Sequence, residues 1–205
     1  VVQQYMPNPL LINGKKWDLR TYILVTSTNP LRAYMFRDGL TRFATSKFDP
    51  NAKGGGKRTA FLTNTSINKK TGAKVDDLTW PFPKLRAHFE SIGQNWEKIL
   101  RSIESAVVRT LLSAEPSFAR QYRHLKPDFT CAICYQLLGV DVIMDDNFVP
   151  KVIEINGEPS MQLSGDKKSH YDSTKKAMSR DLVELVFNRD TFARALTSDL
   201  SELEF

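Results

Sequence analysis

The sequence predicts an α+β protein whose central sheet is rich in antiparallel pairing and flanked by helices. Three observations carry that reading. β-rich runs divided by turn signals fill the first quarter of the chain, residues 96–114 repeat their apolar positions at helical spacing, and the passage LLGVDVIMDDNFVPKVIEIN reads as two strands around a short turn.

Taken in order, residues 1–5 and 10–12 read as strand pieces around a turn at Pro7 and Pro9. Residues 17–27 (WDLRTYILVTS) and 32–36 (RAYMF) are β-rich runs separated by Asn29-Pro30, and Asp38-Gly39 predicts a hairpin-like turn into LTRFAT. Residues 47–74 are polar and rich in lysine, with Gly54, Gly55 and Gly56 in a row, which predicts a mobile insertion. The run ending in Lys57 is not a phosphate loop, because Asn51 stands where its first glycine is needed and Arg58 where Ser or Thr would be. In the predicted helix over 96–114, Trp96, Ile99, Leu100, Ile103, Val107 and Leu111 share a face, and Glu115-Pro116 ends it. A last helix over 173–196 buries Met178, Leu182, Leu185 and Val186. Neither a repeat nor a second domain boundary is visible, so residues 1–205 read as one unit.

With 41% hydrophobic and 25% charged residues, the composition is that of a globular protein with a core of ordinary size. Lys and Arg number 29 against 23 Asp and Glu, a net charge of +6, which favours an acidic partner without choosing among nucleotide, nucleic acid, membrane surface and acidic protein tail. No stretch approaches the roughly 18 apolar residues of a membrane span, and no charged-then-apolar leader opens the chain. The expectation is a soluble intracellular protein. The chain opens on VVQQYMPNPLLI without an initiator Met, so Val1 is not expected to be a natural start. Cys131 and Cys134 supply at most half of a zinc site and read as small core residues. His88, His124 and His170 stand in unrelated contexts, and Asn64-Thr65-Ser66, although a glycosylation sequon, lacks a secretion signal to go with it.

In the LLGVDVIMDDNFVPKVIEIN passage a four-residue loop, 146–149, would pair Asp145 with Pro150 and so place Asp141 opposite Glu154. With side chains alternating, Asp141, Glu154 and Asn156 then share a face, while Val140, Val142, Ile153 and Ile155 face the core. Two opposed carboxylates repel by up to ~1 kcal/mol, so the pair asks for a cation. Oxygen-only ligands suit magnesium. The same pattern also fits a solvent-facing polar strand edge. Lys16, Asp18 and Arg20 alternate on one strand face, able to hold phosphates or simply to be a charged, solvated edge. Arg42, in TRFAT, and the phrase LTNTS add a further cation and short polar side chains.

The phrases VVQQY, KKWDLRTYILVTSTNPL, DGLTRFAT, FLTNTSINKK, LLSAEP and LLGVDVIMDDNFVPKVIEINGEPS, in that order, resemble the tubulin-tyrosine ligase-like family of the polyglutamylase and glycylase type, from Val1 to about Leu185. The resemblance implies an ATP-grasp fold, of which this chain would be the C-terminal part, with the N-terminal lobe and its phosphate-covering loop upstream of Val1 and the stretch inactive by itself. It implies ligation of an amino acid, glutamate foremost, to tubulin tails with ATP and Mg2+ through an acyl phosphate. Carried over by position, Gln3, Gln4, Tyr5 and Met6 are similar to the hinge along the adenine, and Lys16, Asp18, Thr63 and Asn64 to nucleotide contacts. Arg20 and Arg42 match the arginines facing the transferring phosphate and the incoming amino acid. Arg42, Thr65, Ser66 and Lys176 match residues near that amino acid, and Asp141, Glu154 and Asn156 match the magnesium ligands.

Three positions depart from the family pattern. Phe61 stands where it usually has His, Thr65 where it often has Tyr, and Gln4 where it has Lys or Glu; Phe61 removes a polar contact near the nucleotide. The resemblance further implies acidic tubulin or microtubule tails and a free amino acid as partners, no nucleic acid or membrane, and residence in the cytoplasm and cytoskeleton, with cilium or basal body as further sites. The rival readings are a ligase acting on another acidic protein, a catalytically silent microtubule-binding module, and a nucleic-acid binder suggested by charge alone.

Overall fold

In the computed structural model, which describes residues 3–28, 30–50, 58–65, 72, 74–125 and 135–187, five strands run in the order β4-β3-β2-β5-β6, with β1 paired to β2 off that path. The strands are β1 (Leu11–Ile12), β2 (Lys15–Thr28), β3 (Leu31–Phe43), β4 (Thr79–Pro81), β5 (Gln136–Met144) and β6 (Pro150–Asn156). Every pairing is antiparallel. Helices α1 (Phe82–Ser91), α2 (Trp96–Leu125) and α3 (His170–Phe187) flank the sheet. The α+β class and antiparallel sheet expected from the sequence are therefore present.

Alternation along β2 divides the sheet into two unlike faces. Trp17, Leu19 and Ile23 point one way and are buried with Val140, Val142 and Met144 of β5 against Phe82, Leu85 and Phe89 of α1 and Trp96, Ile99, Ile103 and Val107 of α2. Burying that apolar face is what drives the sheet and the two helices together. The opposite face carries Lys16, Asp18, Arg20 and Tyr22, and only part of it is covered, by α3, through a small cluster of Leu40, Val75 and Tyr171 and through Met178.

Several local expectations change. Residues 3–5 are not strand. Asp38-Gly39 makes no turn: β3 runs straight through it, with Gly39 opposite Thr21. Glycine is needed there because a Cβ would stand 2.6 Å from the Phe82 ring and 2.7 Å from the Arg20 carbonyl oxygen. The Asp38 carboxylate accepts the Gly39 and Phe82 N–H groups at 2.7 and 2.8 Å, fastening β3 to the start of α1. That helix was not foreseen, although Phe82, Leu85 and Phe89 recur at helical spacing. Pro116 does not end α2, which continues to Leu125. The carbonyl that loses its donor belongs to Leu112, an exposed residue, so water can replace the missing bond. The last helix starts at His170 rather than 173, its described part ends at Phe187, and Leu182, Leu185 and Val186 are only half-buried along it. Cys131, Cys134, Ser66 and most of the Gly54 region lie outside the described residues.

The β5–β6 hairpin reaches the expected pairing by another route. Pro150 pairs with Met144, not Asp145, so the loop holds five residues, and Ile153 is then an extra residue in β6 that brings Asp141 back opposite Glu154. The Asp145 carboxylate accepts the N–H groups of Asn147 and Val149 at 3.0 and 2.9 Å. Phe148 takes a left-handed φ of 61° while its ring packs on Phe89. Ile155 is exposed and Ile153 half-buried, contrary to the expected core role, because β6 is the edge of the sheet.

Candidate functional site

The polar face of β2, β3 and β5 holds a connected set of charges, with Asp18, Arg42 and Asp141 buried and Arg20 half-buried. Register places Asp18 opposite Arg42 and Arg20 opposite Asp141. Arg20 grips the Asp141 carboxylate with two donors, its Nε on Oδ1 and its Nη2 on Oδ2, the latter at 2.9 Å. Arg42 grips Asp18 in the same two-pronged way at 2.7 and 2.8 Å, and its Nη2 also reaches Asp141 at 2.7 Å. Thr63 Oγ1 donates to Asp18 as well. Two guanidiniums and two carboxylates thus form a continuous, neutral network.

The network's electrostatics favour the ionised state of Asp141 and Arg42. Burial alone would raise the Asp141 carboxyl, but hydrogen bonds and charge from Arg20 and Arg42 outweigh it and hold that carboxyl below the usual carboxylate range. Burial also works against the Arg42 charge, yet Asp18 and Asp141 hold it protonated more firmly than an isolated guanidinium. Tyr22, on the same face, has its phenol pushed up to about 12, mainly by burial. Lys16 is moved the other way, its ammonium lowered by burial and partly restored by Asp18.

Beyond the arginines lies the edge pair. Asn156 Nδ2 donates to Glu154 Oε1 at 3.1 Å, and Glu154 is exposed. These two oxygen-bearing side chains fit a hard divalent cation. Asp141 shares their face by register, but three hydrogen bonds from two arginines already occupy its oxygens. Among the described residues no group of three or more His, Cys, Asp and Glu could hold a metal. The cation that two opposed carboxylates ask for is, for Asp141, a guanidinium.

A cavity of about 540 Å³, which neither Glu154 nor Asn156 lines, opens between residues 3–7, Lys16, Ile143 of β5 and residues 151–153 of β6. Gln3 Nε2 donates to the Ile153 carbonyl at 3.3 Å, and Lys16 lies over the Tyr5 ring at 4.8 Å. The expected hinge residues and Lys16 therefore meet at one concavity. The cavity mixes apolar walls with the polar groups of Gln3, Gln4, Tyr5, Lys16 and Lys151, as small-molecule sites mix the two.

The remaining expected residues are placed unevenly. Thr63 is buried on Asp18, Asn64 is exposed, Thr65 is half-buried, and Phe61, in place of a polar residue, meets Phe48 edge to face at 5.6 Å. Lys176 is exposed on α3, where its charge acts on Asp172, and is not joined to the arginine network. The lysine that α3 turns inward is its neighbour Lys175, 2% exposed, with Nζ on the Tyr171 hydroxyl at 2.6 Å and on the Gln162 carbonyl at 2.9 Å. Asp172, Tyr171 and Lys175 escaped sequence reading; the i, i+4 spacing of Tyr171 and Lys175 on a helix is the signal that marks them.

Comparison with known proteins adds the following. The Tubulin-tyrosine ligase family matches residues 1–193. Human tubulin monoglutamylase TTLL4 is 38% identical over 197 residues, covering 90% of this chain and 16% of that protein. Tubulin polyglutamylase ttll-4 of Caenorhabditis elegans is 34% identical over 210 residues, covering 98% of this chain and 34% of that protein. Mouse tubulin polyglutamylase TTLL6 is 36% identical over 166 residues, covering 78% of this chain and 20% of its own length. The chain spans roughly a sixth to a third of these relatives.

Proposed function

The chain belongs to the tubulin-tyrosine ligase family, and on that premise we propose that it supplies the phosphate-facing half of an ATP-dependent ligase that adds glutamate to glutamate side chains of tubulin tails. The observation that carries the reading is the pair of buried Arg42 and half-buried Arg20, each fixed by an aspartate and standing on the same sheet face as Glu154 and Asn156. Carboxylate–amine ligation through an acyl phosphate needs fixed donors where phosphoryl oxygens gather, and little covalent help from the protein; the network is neutral as a whole, but each guanidinium has five N–H donors, more than the aspartates take. The relatives' names, tubulin monoglutamylase and polyglutamylase, support tubulin as acceptor and glutamate as the added residue.

In this reading the cavity behind Gln3, Gln4, Tyr5, Met6 and Lys16 takes the nucleotide base, and Lys16 faces its phosphates. Glu154 and Asn156 hold magnesium, with Asp141 beside them in register; the ion, when bound, neutralises phosphate charge. Arg20 steadies the charge that develops during phosphoryl transfer, while Arg42 turns toward the incoming amino acid. Asp18 and Thr63 keep Arg42 aimed rather than contacting nucleotide themselves, since both side chains are already engaged with one another. The cytoplasm and cytoskeleton follow as the place of action from the proposed acceptor.

Mass spectrometry of tubulin tails after incubation with the full-length protein, ATP and either glutamate, glycine or tyrosine tests this. Mass increments of glutamate are expected; increments of another residue, or none with any of the three, overturn the proposed specificity or the proposed reaction respectively.

A further inference from the structure

Gly139 of β5 lies opposite Tyr22 of β2 and Asn156 of β6, between the arginine network and the edge pair. It is not among the glycines with positive φ, so its lack of a side chain serves space and not backbone conformation. A Cβ there would stand 2.8 Å from Pro159 Cβ, 3.1 Å from Arg20 Cδ and 3.2 Å from Arg20 Nη1. Arg20 and Pro159 thus converge over the bare backbone of Gly139.

Pro159 is buried, within the segment that joins β6 to α3. That segment is fastened at both ends. Gln136 Nε2 donates to the Gly157 carbonyl. Toward α3, the Asp172 carboxylate accepts the N–H groups of Ser164 and Gly165 at 2.7 and 3.1 Å, and Lys175 Nζ donates to the Gln162 carbonyl at 2.9 Å. Asp172 and Lys175 are each 2% exposed, so the α3 end of each anchor is buried although the strap residues Gln162, Ser164 and Gly165 are exposed.

We infer that residues 157–165 form a strap that sets the position of Arg20: Gly139 and Pro159 make the slot in which the arginine side chain lies, and Asp172 and Lys175 hold the strap in place. The inference rests on the phosphate-facing role proposed for Arg20 and makes these four positioning residues. Asp141 fixes the guanidinium end of Arg20, but a long side chain anchored only at its tip keeps freedom along its stem, and the slot removes it. If a methyl group is added at Gly139, the tethered proline resists and the flexible arginine yields. A displacement of a few tenths of an ångström at a charge-stabilising group lowers the rate of the chemical step without weakening nucleotide binding elsewhere in the cleft.

The test uses the full-length protein in steady-state tubulin glutamylation, with Gly139→Ala, Arg20→Lys, their combination, and Asp172→Asn, whose amide nitrogen cannot accept one of the two strap N–H groups. Gly139→Ala is expected to lower kcat about tenfold with KM for ATP within about twofold, and to cost less than about twofold once Arg20→Lys has removed the bidentate guanidinium. Asp172→Asn is expected to lower kcat about threefold at unchanged KM for ATP and to add little to Gly139→Ala. A wild-type kcat in Gly139→Ala, a loss confined to KM for ATP, or the same factor in both Arg20 backgrounds overturns the inference. If Gly139→Ala does not fold, Asp172→Asn decides by the same criteria, alone and combined with Arg20→Lys. Full activity of Arg20→Lys would instead overturn the role of Arg20 itself, and that result is seen without touching the slot.

Discussion

Glu154 and Asp141 sit opposite one another, yet their environments set them apart. Glu154 is exposed and hydrogen-bonded only to its neighbour Asn156 in the contacts described above, whereas Asp141 is 3% exposed and neutralises parts of two guanidiniums. Replacing Glu154 by Gln removes a charge that packing does not use. The expected outcome is loss of ligation with a melting temperature within a few degrees of wild type, checked by calorimetry beside the glutamylation assay. Asp141→Asn leaves buried Arg42 and half-buried Arg20 short of counter-charge and should destabilise by about 3 kcal/mol, read from denaturant unfolding, since breaking a buried pair strands the other charge. Equal stability of the two variants would mean that the network is more hydrated than its burial implies.

At the scale of elements, the same physics explains what the sequence made legible and what it hid. The face shared by Lys16, Asp18 and Arg20 was readable because side chains in a strand alternate whatever the strand pairs with. That Arg42 answers Asp18, and Arg20 answers Asp141, depends on registers between strands far apart in sequence, one of them interrupted by bulges around Tyr22 and Thr26. No local pattern encodes those. Asp141 opposite Glu154 was reached from a loop one residue too short, and the extra residue at Ile153 compensated, so the right pairing came with a wrong hairpin. Asp38-Gly39 misled because glycine there makes room for the Phe82 ring instead of turning the chain. Pro116 misled because a long helix that packs on the sheet through its first half tolerates a proline where its second half meets water. Pro116→Ala should therefore leave the fold unchanged and stabilise α2 by about 1 kcal/mol or more, measured as a rise in melting temperature. A fall in melting temperature would show that a bend at Pro116 is needed for packing.

For the molecule as a whole, pH acts on three aspartates with opposite signs. Burial alone would raise Asp141 and Asp172, but the arginines in one case and the Ser164 and Gly165 N–H groups in the other outweigh it, and both carboxyls lie below their usual range. Asp38 goes the other way: burial raises it, against hydrogen bonds from Gly39 and Phe82 that only partly compensate. For a group whose folded pKa is depressed, the stabilisation is complete above the unfolded value of about 3.9 and disappears as pH falls through the folded value. For Asp38 the stabilisation is present below about 3.9 and is lost as pH rises through its raised value. Lowering the pH from neutrality should therefore bring a modest gain in stability as Asp38 takes its proton, followed below the ordinary carboxylate range by a steep loss as Asp141 and Asp172 take theirs. Urea unfolding at a series of pH values measures the curve, and Asp38→Asn, which keeps the Oδ1 acceptor for the two N–H groups but cannot ionise, isolates the first phase. The gain should vanish in that variant while the acid collapse stays where it was. A collapse that moved with Asp38→Asn would place the acid sensitivity of this fold at the β3–α1 junction instead of in the arginine network and the strap.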